Sequence, residues 1–91
     1  MVYAAAAFIT LHRPRLAITW RPSRATDVAA YEIWAANKSG GPYYRLAVID
    51  DPASYRYSQE TETGSLYLAM TAVDRRGNRS LYSNEAAVNV I

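Results

Sequence analysis

The sequence contains no cysteine, which excludes disulfides, thiolate metal sites and cysteine nucleophiles. It has one histidine, His12, so a multi-histidine zinc centre is ruled out and a single imidazole is left for acid–base work. His12 sits beside Arg13, Pro14 and Arg15 in an expected surface turn, a solvated setting without the paired nucleophile and carboxylate that a triad requires. Lysine is almost missing too: nine of the ten basic residues are arginine, and Lys38 is the exception. Arginine favours planar contacts with carboxylates, phosphates and aromatic faces, although a GC-rich genome produces the same bias. No apolar run approaches the roughly 20 residues needed to span a bilayer. The longest, Val2 to Ile9, is followed by its first bases, Arg13 and Arg15, where a secretory signal would have them in front.

What remains is an ordinary globular composition of 91 residues, 51% apolar and 20% charged, with a net charge of +2. This length holds one domain spanning 1–91, whose small core makes each large apolar residue count. The pattern along the chain has period two. Tyr3, the alanines 4–7, Phe8, Ile9 and Thr10 read as an alanine-rich first strand. Leu16, Ile18 and Trp20 share one face of a second strand, and Pro22-Ser23 ends it. Tyr31, Ile33 and Ala35 share a face of the third, with Glu32 and Trp34 opposite. After the turn signal Asn37-Lys38-Ser39-Gly40-Gly41-Pro42, Tyr44, Leu46 and Val48 alternate with Tyr43, Arg45 and Ala47. A short strand over Ser54 to Ser58 places Tyr55 and Tyr57 on one face, and Gln59 to Gly64 reads as a turn. Leu66, Leu68, Met70 and Ala72 then form the most regular inward series, with Tyr67, Ala69, Thr71 and Val73 outside. A loop from Asp74 to Ser80 leads to a last strand over Ala86 to Ile91.

About seven short strands with turn clusters every 8–12 residues, and no helical spacing, predict an all-β, seven-stranded antiparallel sandwich of immunoglobulin-like type. The predicted core is Leu16, Ile18, Trp20, Tyr31, Ile33, Leu46, Leu66, Leu68, Met70 and Ala72.

Three stretches carry a resemblance to fibronectin type III domains of the prokaryotic or phage kind, over residues 8–90. Leu16-Ala17-Ile18-Thr19-Trp20-Arg21-Pro22 resembles the family's second strand with its anchoring tryptophan, and Val28-Ala29-Ala30-Tyr31-Glu32-Ile33-Trp34 its third. Thr71-Ala72-Val73-Asp74-Arg75-Arg76-Gly77-Asn78-Arg79-Ser80, continuing to Ser83-Asn84-Glu85, is similar to the sixth strand, its loop and the approach to the seventh. Gly77-Asn78 is expected to supply the positive-φ residues of that loop. The family's tyrosine at the start of the sixth strand falls on Leu66 here, with Tyr67 adjacent and facing outward, so either that tyrosine corner is missing or a bulge brings Tyr67 inward. No Arg-Gly-Asp tripeptide is present, so integrin binding does not carry over.

Chemistry is scarce. Asp50-Asp51 and Glu60/Glu62 are carboxylate pairs in turns, without an apolar wall to raise one pKa; Asp50, Asp51 and Asp74 are expected near one end of the sandwich, which suits calcium better than those pairs suit catalysis, although a solvated rim is the plainer reading. That pole gathers Arg21, Arg24, Arg75, Arg76 and Arg79 against Asp27, Asp50, Asp51 and Asp74, a self-neutralising rim and no phosphate track. The opposite pole holds Arg13, Arg15 and Lys38 against Glu60 and Glu62. No cofactor, metal, nucleic-acid or membrane partner is expected. The exposed aromatics are more informative: Trp34, Tyr43, Tyr67 and Tyr82, with Arg75 and Arg76, form the candidate interaction surface. Three readings of it stay open: cross-strand packing that stabilises the sheet, a protein–protein interface, and a glycan platform. The first and last strands lack gatekeeping charges, which invites pairing with another chain.

The expected function is a non-enzymatic structural or interaction module within a larger assembly. A phage virion part (head decoration, tail or fibre attachment) suits Met1 directly before the sandwich and the lack of an export signal. The alternative is a spacer or carbohydrate-associated module of a secreted multidomain enzyme.

Overall fold

A computed structural model describes residues 3–10, 14–23 and 25–90, with side chains from residue 16 onward. The expectations for His12, Arg13 and Arg24 lie outside the described residues. Seven strands follow in order: β1 Tyr3–Thr10, β2 Pro14–Arg21, β3 Val28–Ala36, β4 Tyr44–Ile49, β5 Arg56–Glu60, β6 Gly64–Asp74 and β7 Ala86–Val90. They form two sheets, one ordered β1-β2-β5 and the other β4-β3-β6-β7. Every pairing is antiparallel, as short connections without crossover helices require.

The inward rows meet between the sheets. Leu16, Ile18 and Trp20 of β2, Tyr31, Ile33 and Ala35 of β3, Leu68, Met70 and Ala72 of β6, and Val88 and Val90 of β7 make one buried cluster with Val28. Leu46 and Leu66 are half-buried and pack against its rim. The Trp20 and Tyr31 rings sit 5.8 Å apart at a tilted 57°, an arrangement aromatic quadrupoles favour. The Tyr31 hydroxyl accepts a 2.8 Å bond from the Ser23 amide, which ties the β2–β3 connection to the core.

Local departures from the sequence expectation have local causes. In β4, Ile33 pairs with Ala47 but Trp34 pairs with Arg45, so Leu46 is an extra residue in a β-bulge. A bulge resets alternation by one. Ala47 and Ile49 therefore turn to the core with Leu46, while Tyr44 and Val48, expected inward, are each 48% exposed. The fifth strand runs over Arg56–Glu60, so Gln59 and Glu60 are strand residues: they pair with Leu16 and Arg15, and β2 extends the ladder past the polar sequence. Tyr57 packs on the core, whereas Tyr55 lies before the strand and is exposed.

In the β6–β7 loop Gly77 alone has positive φ, +85°, the conformation that suits glycine. Asn78 acts otherwise than expected. Its amide and side-chain Nδ2 both donate to the Asp74 carboxylate, at 2.8 and 3.1 Å.

Candidate interaction surface

Strand alternation sends Glu32 and Trp34 of β3 to the outer face of the four-stranded sheet. There they meet Thr71 and Ala69 of β6, their register partners. Tyr67 lies in the same outward row, opposite Ala36. This face is layered and not bare: Glu32, Thr71 and Ala69 are only 3%, 1% and 1% exposed.

The cover is the segment from Arg79 to Glu85, which runs beside β6 before β7 begins. Two serines hold it there. The Ser80 amide donates to the Ala72 carbonyl while its Oγ accepts from the Ala72 amide at 2.8 Å. Ser83 repeats the pattern on Met70, donating through its amide and accepting through Oγ at 2.8 Å. Each hydroxyl replaces a backbone carbonyl, so β6 amides that would lack a ladder partner are satisfied. Three residues of segment span two of β6, and the intervening Leu81 and Tyr82 are pushed outward. Leu81 is 88% exposed and Tyr82 48%.

Beneath this segment lies one buried carboxylate with four donors. Glu32 Oε1 accepts from Thr71 Oγ1 at 2.8 Å and from Arg79 Nε. Its Oε2 accepts from Arg79 Nη2 at 2.9 Å and Arg45 Nη1 at 3.0 Å. Four bonds use the lone-pair capacity of a carboxylate, and the fork from Arg79 is the strong bidentate kind. The Arg79 hydrogen bond, then those of Thr71 and Arg45, lower the Glu32 pKa from 4.5 to about 2 against the opposing effect of burial. Thr71 also accepts from Trp34 Nε1 at 3.0 Å, which fixes the indole against the sheet.

The aromatics close over this core of charge. The Arg79 guanidinium carbon lies 5.3 Å from the Trp34 ring centre, within cation–π range. Tyr82 meets Trp34 edge-on at 5.7 Å and Tyr43 at 4.9 Å. Tyr43 donates to Glu85 Oε1, and Glu85 also accepts from Ser39 Oγ and the Gly40 amide. Glu85 thus anchors the β3–β4 loop to the root of β7. These donors hold its carboxyl below the usual range, that of Ser39 first, and the bond to Glu85 pushes the Tyr43 phenol up to about 12.

The structure therefore brings Trp34, Tyr43 and Tyr82 into one cluster. Tyr67 shares the face but has no ring contact with that cluster among the described residues. Arg75 and Arg76 are exposed in the β6–β7 loop. Their amides bond to the Asp27 carbonyl and the Asp74 carboxylate, so the backbone there serves the turn. Sequence reasoning did not place Glu32, Arg45, Arg79 and Leu81 in this site. One signal was available: a glutamate in mid-strand, two positions before an outward tryptophan on the same face, with apolar residues on either side.

Neither a family profile nor a curated protein matches the chain by sequence. Solved structures do match by shape. An Fn3-like protein from Clostridium thermocellum superposes with a TM-score of 0.70 at 24% identity, over 93% of this chain and 88% of that one. A β-1,2-glucanase from Parabacteroides distasonis gives 0.73 at 26% identity, over 96% of this chain and 12% of the glucanase. A pectate lyase from Pectobacterium carotovorum gives 0.72 at 12% identity, over 93% of this chain and 26% of the lyase. The chain thus spans most of the Fn3-like protein's length but only 12% and 26% of the glucanase and the lyase.

Proposed function

We propose that this chain, which has the fibronectin type III fold, is a non-catalytic module that docks another protein through the outer face of its four-stranded sheet. The carrying observation is the presentation of Leu81 and Tyr82. A leucine 88% exposed keeps its unfavourable apolar hydration unless a partner covers it, and here it is held between two serine clamps with an aromatic cluster behind it. Rigid aromatic and apolar anchors backed by packed side chains are the usual carriers of interface energy. The non-catalytic part of the proposal rests on how the face uses its carboxylates: Glu32 and Glu85 are engaged by four and three donors respectively. Groups so committed hold loops in place, and proton transfer would dismantle what they hold.

The contact residues shift accordingly from Trp34 and Tyr67 towards Leu81 and Tyr82. Trp34 is half-buried and braces the cluster from below.

The setting we infer is a large protein assembly, with a phage virion component as its first form. A second reading has support of its own in the likeness to part of a glucanase and part of a pectate lyase: an accessory module within a polysaccharide-acting enzyme. Replacing Leu81 by Ser tests the docking face. Incorporation into the native particle or parent complex should fall at least about tenfold, while stability stays within roughly 0.5 kcal/mol, as for other exposed positions. Undiminished incorporation would refute this face as the contact. The intact mass of the polypeptide in its source separates the two settings: the mass of this chain alone within a particle supports the first, and a much larger chain containing it supports the second.

A further inference from the structure

Charge at the centre of the outer face does not balance, because the face's other carboxylate, Glu85, is committed at its edge to Ser39, Gly40 and Tyr43. In the outward rows of β3, β4, β6 and β7 the only acidic side chain is Glu32, and it is buried; two guanidiniums, of Arg45 and Arg79, bond to it. Both donate to the same oxygen, Oε2, at 3.0 and 2.9 Å, so these nitrogens lie within about 6 Å of each other by simple geometry. One carboxylate neutralises one of the two cations. The surplus positive charge is held in place, since Glu32 fixes both guanidiniums and each is about half exposed, at 52% and 50%. Neither forms an ion pair with another carboxylate among the described residues. Arg45 keeps Nε and Nη2, and Arg79 keeps Nη1, as donors not used on Glu32. Trp34 and Tyr82 stand beside this pair, and Leu81 adjoins Tyr82.

We propose that the face recognises an acidic segment of its protein partner. A partner carboxylate is taken by the free donors of Arg45 and Arg79, and a neighbouring apolar side chain rests on Tyr82 and Leu81. This builds on the docking face proposed above and adds the chemistry of the partner. Charge complementarity chooses the occupant: an anion relieves the repulsion between two cations already positioned, without the entropy cost of ordering them. The apolar shelf favours a peptide over a fully solvated polyanion.

The experiment uses the intact chain and two peptides, acetyl-Leu-Glu-Leu-Glu-Leu-amide and its Gln-for-Glu counterpart. The indole N–H resonance of Trp34 is followed by NMR, with that of Trp20, buried in the core, as internal reference. The Glu peptide should shift the Trp34 signal saturably and leave Trp20 unmoved, and the Gln peptide should not. Raising NaCl from about 50 to 300 mM should weaken the binding severalfold. Arg45→Gln should weaken it at least about fivefold, the loss of one charge-assisted contact, and Arg45→Lys, which keeps the charge but not the planar fork, should fall between. No saturable shift, an equal response to both peptides, or an unaltered affinity in both Arg45 variants overturns the inference. A larger response to tetragalacturonate than to the Glu peptide overturns the choice of a protein partner in favour of an acidic glycan. Loss of assembly in the Leu81 variant together with any of these negatives would leave the docking face standing and remove only its acid preference.

Discussion

The two tryptophans show how far a single residue's role follows from its position. Trp20 ends the inward row of β2 and is 6% exposed. Its Nε1 is buried without a hydrogen-bond partner among the described residues, so its worth is entirely in packing. Trp20→Ala should cost roughly 3–5 kcal/mol and unfold most of the population at ambient temperature, as read by the loss of the denaturation baseline. Trp20→Phe, which also removes the orphaned donor, should cost much less. Trp34 is the opposite case: its indole nitrogen is satisfied by Thr71 and one face lies under Arg79. Trp34→Ala should therefore destabilise by about 1–2 kcal/mol in a urea titration, from the lost hydrogen bond and ring contacts. Alternation told these two apart correctly. It could not tell that Glu32 would be buried, because period two fixes the direction of a side chain and not what later covers it.

At the scale of elements, the most legible stretch was the run from Thr71 through Glu85, and the structure explains why its residues come at those spacings. Asp74, Gly77 and Asn78 close the turn, Ser80 and Ser83 pin the return segment, and Glu85 ties down the neighbouring loop. Ser83→Ala removes the acceptor of the Met70 amide and should cost about 1–2 kcal/mol. Hydrogen exchange at Met70 should rise while Ala72, held by Ser80, changes little. If both amides lose protection together, the segment is clamped as one unit and not at two points. β4 was less legible, since nothing in Tyr44–Ile49 announces a bulge: Leu46, Ala47 and Val48 are all apolar, and the register is set by β3 across the sheet.

For the whole molecule, these groups combine into a pH profile of stability. The Glu32 pKa is lowered to about 2 in the folded chain, so its contribution is complete above the unfolded value near 4.5 and is lost as pH falls from about 5 towards 2. Its size is about 3 kcal/mol by linkage. Asp74 and Glu85 are also held low, through the Asn78 amide and the Ser39 hydroxyl first, and act in the same acid direction. Tyr43 titrates in the other direction. Its phenol is raised to about 12, so the neutral hydroxyl's bond to Glu85 contributes fully below pH 10 and is lost as pH climbs from about 10 to 12. Denaturant midpoints should therefore form a plateau between about pH 5 and 10 and fall on both sides. In Glu32→Gln the plateau should drop by roughly 2–3 kcal/mol, because two guanidiniums lose their shared carboxylate, and the acid limb should flatten. In Tyr43→Phe the alkaline limb should flatten while the acid limb caused by Glu32 persists. Because Glu32 and Glu85 each join elements far apart in the chain, fluorescence of both tryptophans should follow one acid transition. Two separate midpoints would mean that the outer layer opens before the sandwich does, and that the docking face is the least stable part of the molecule.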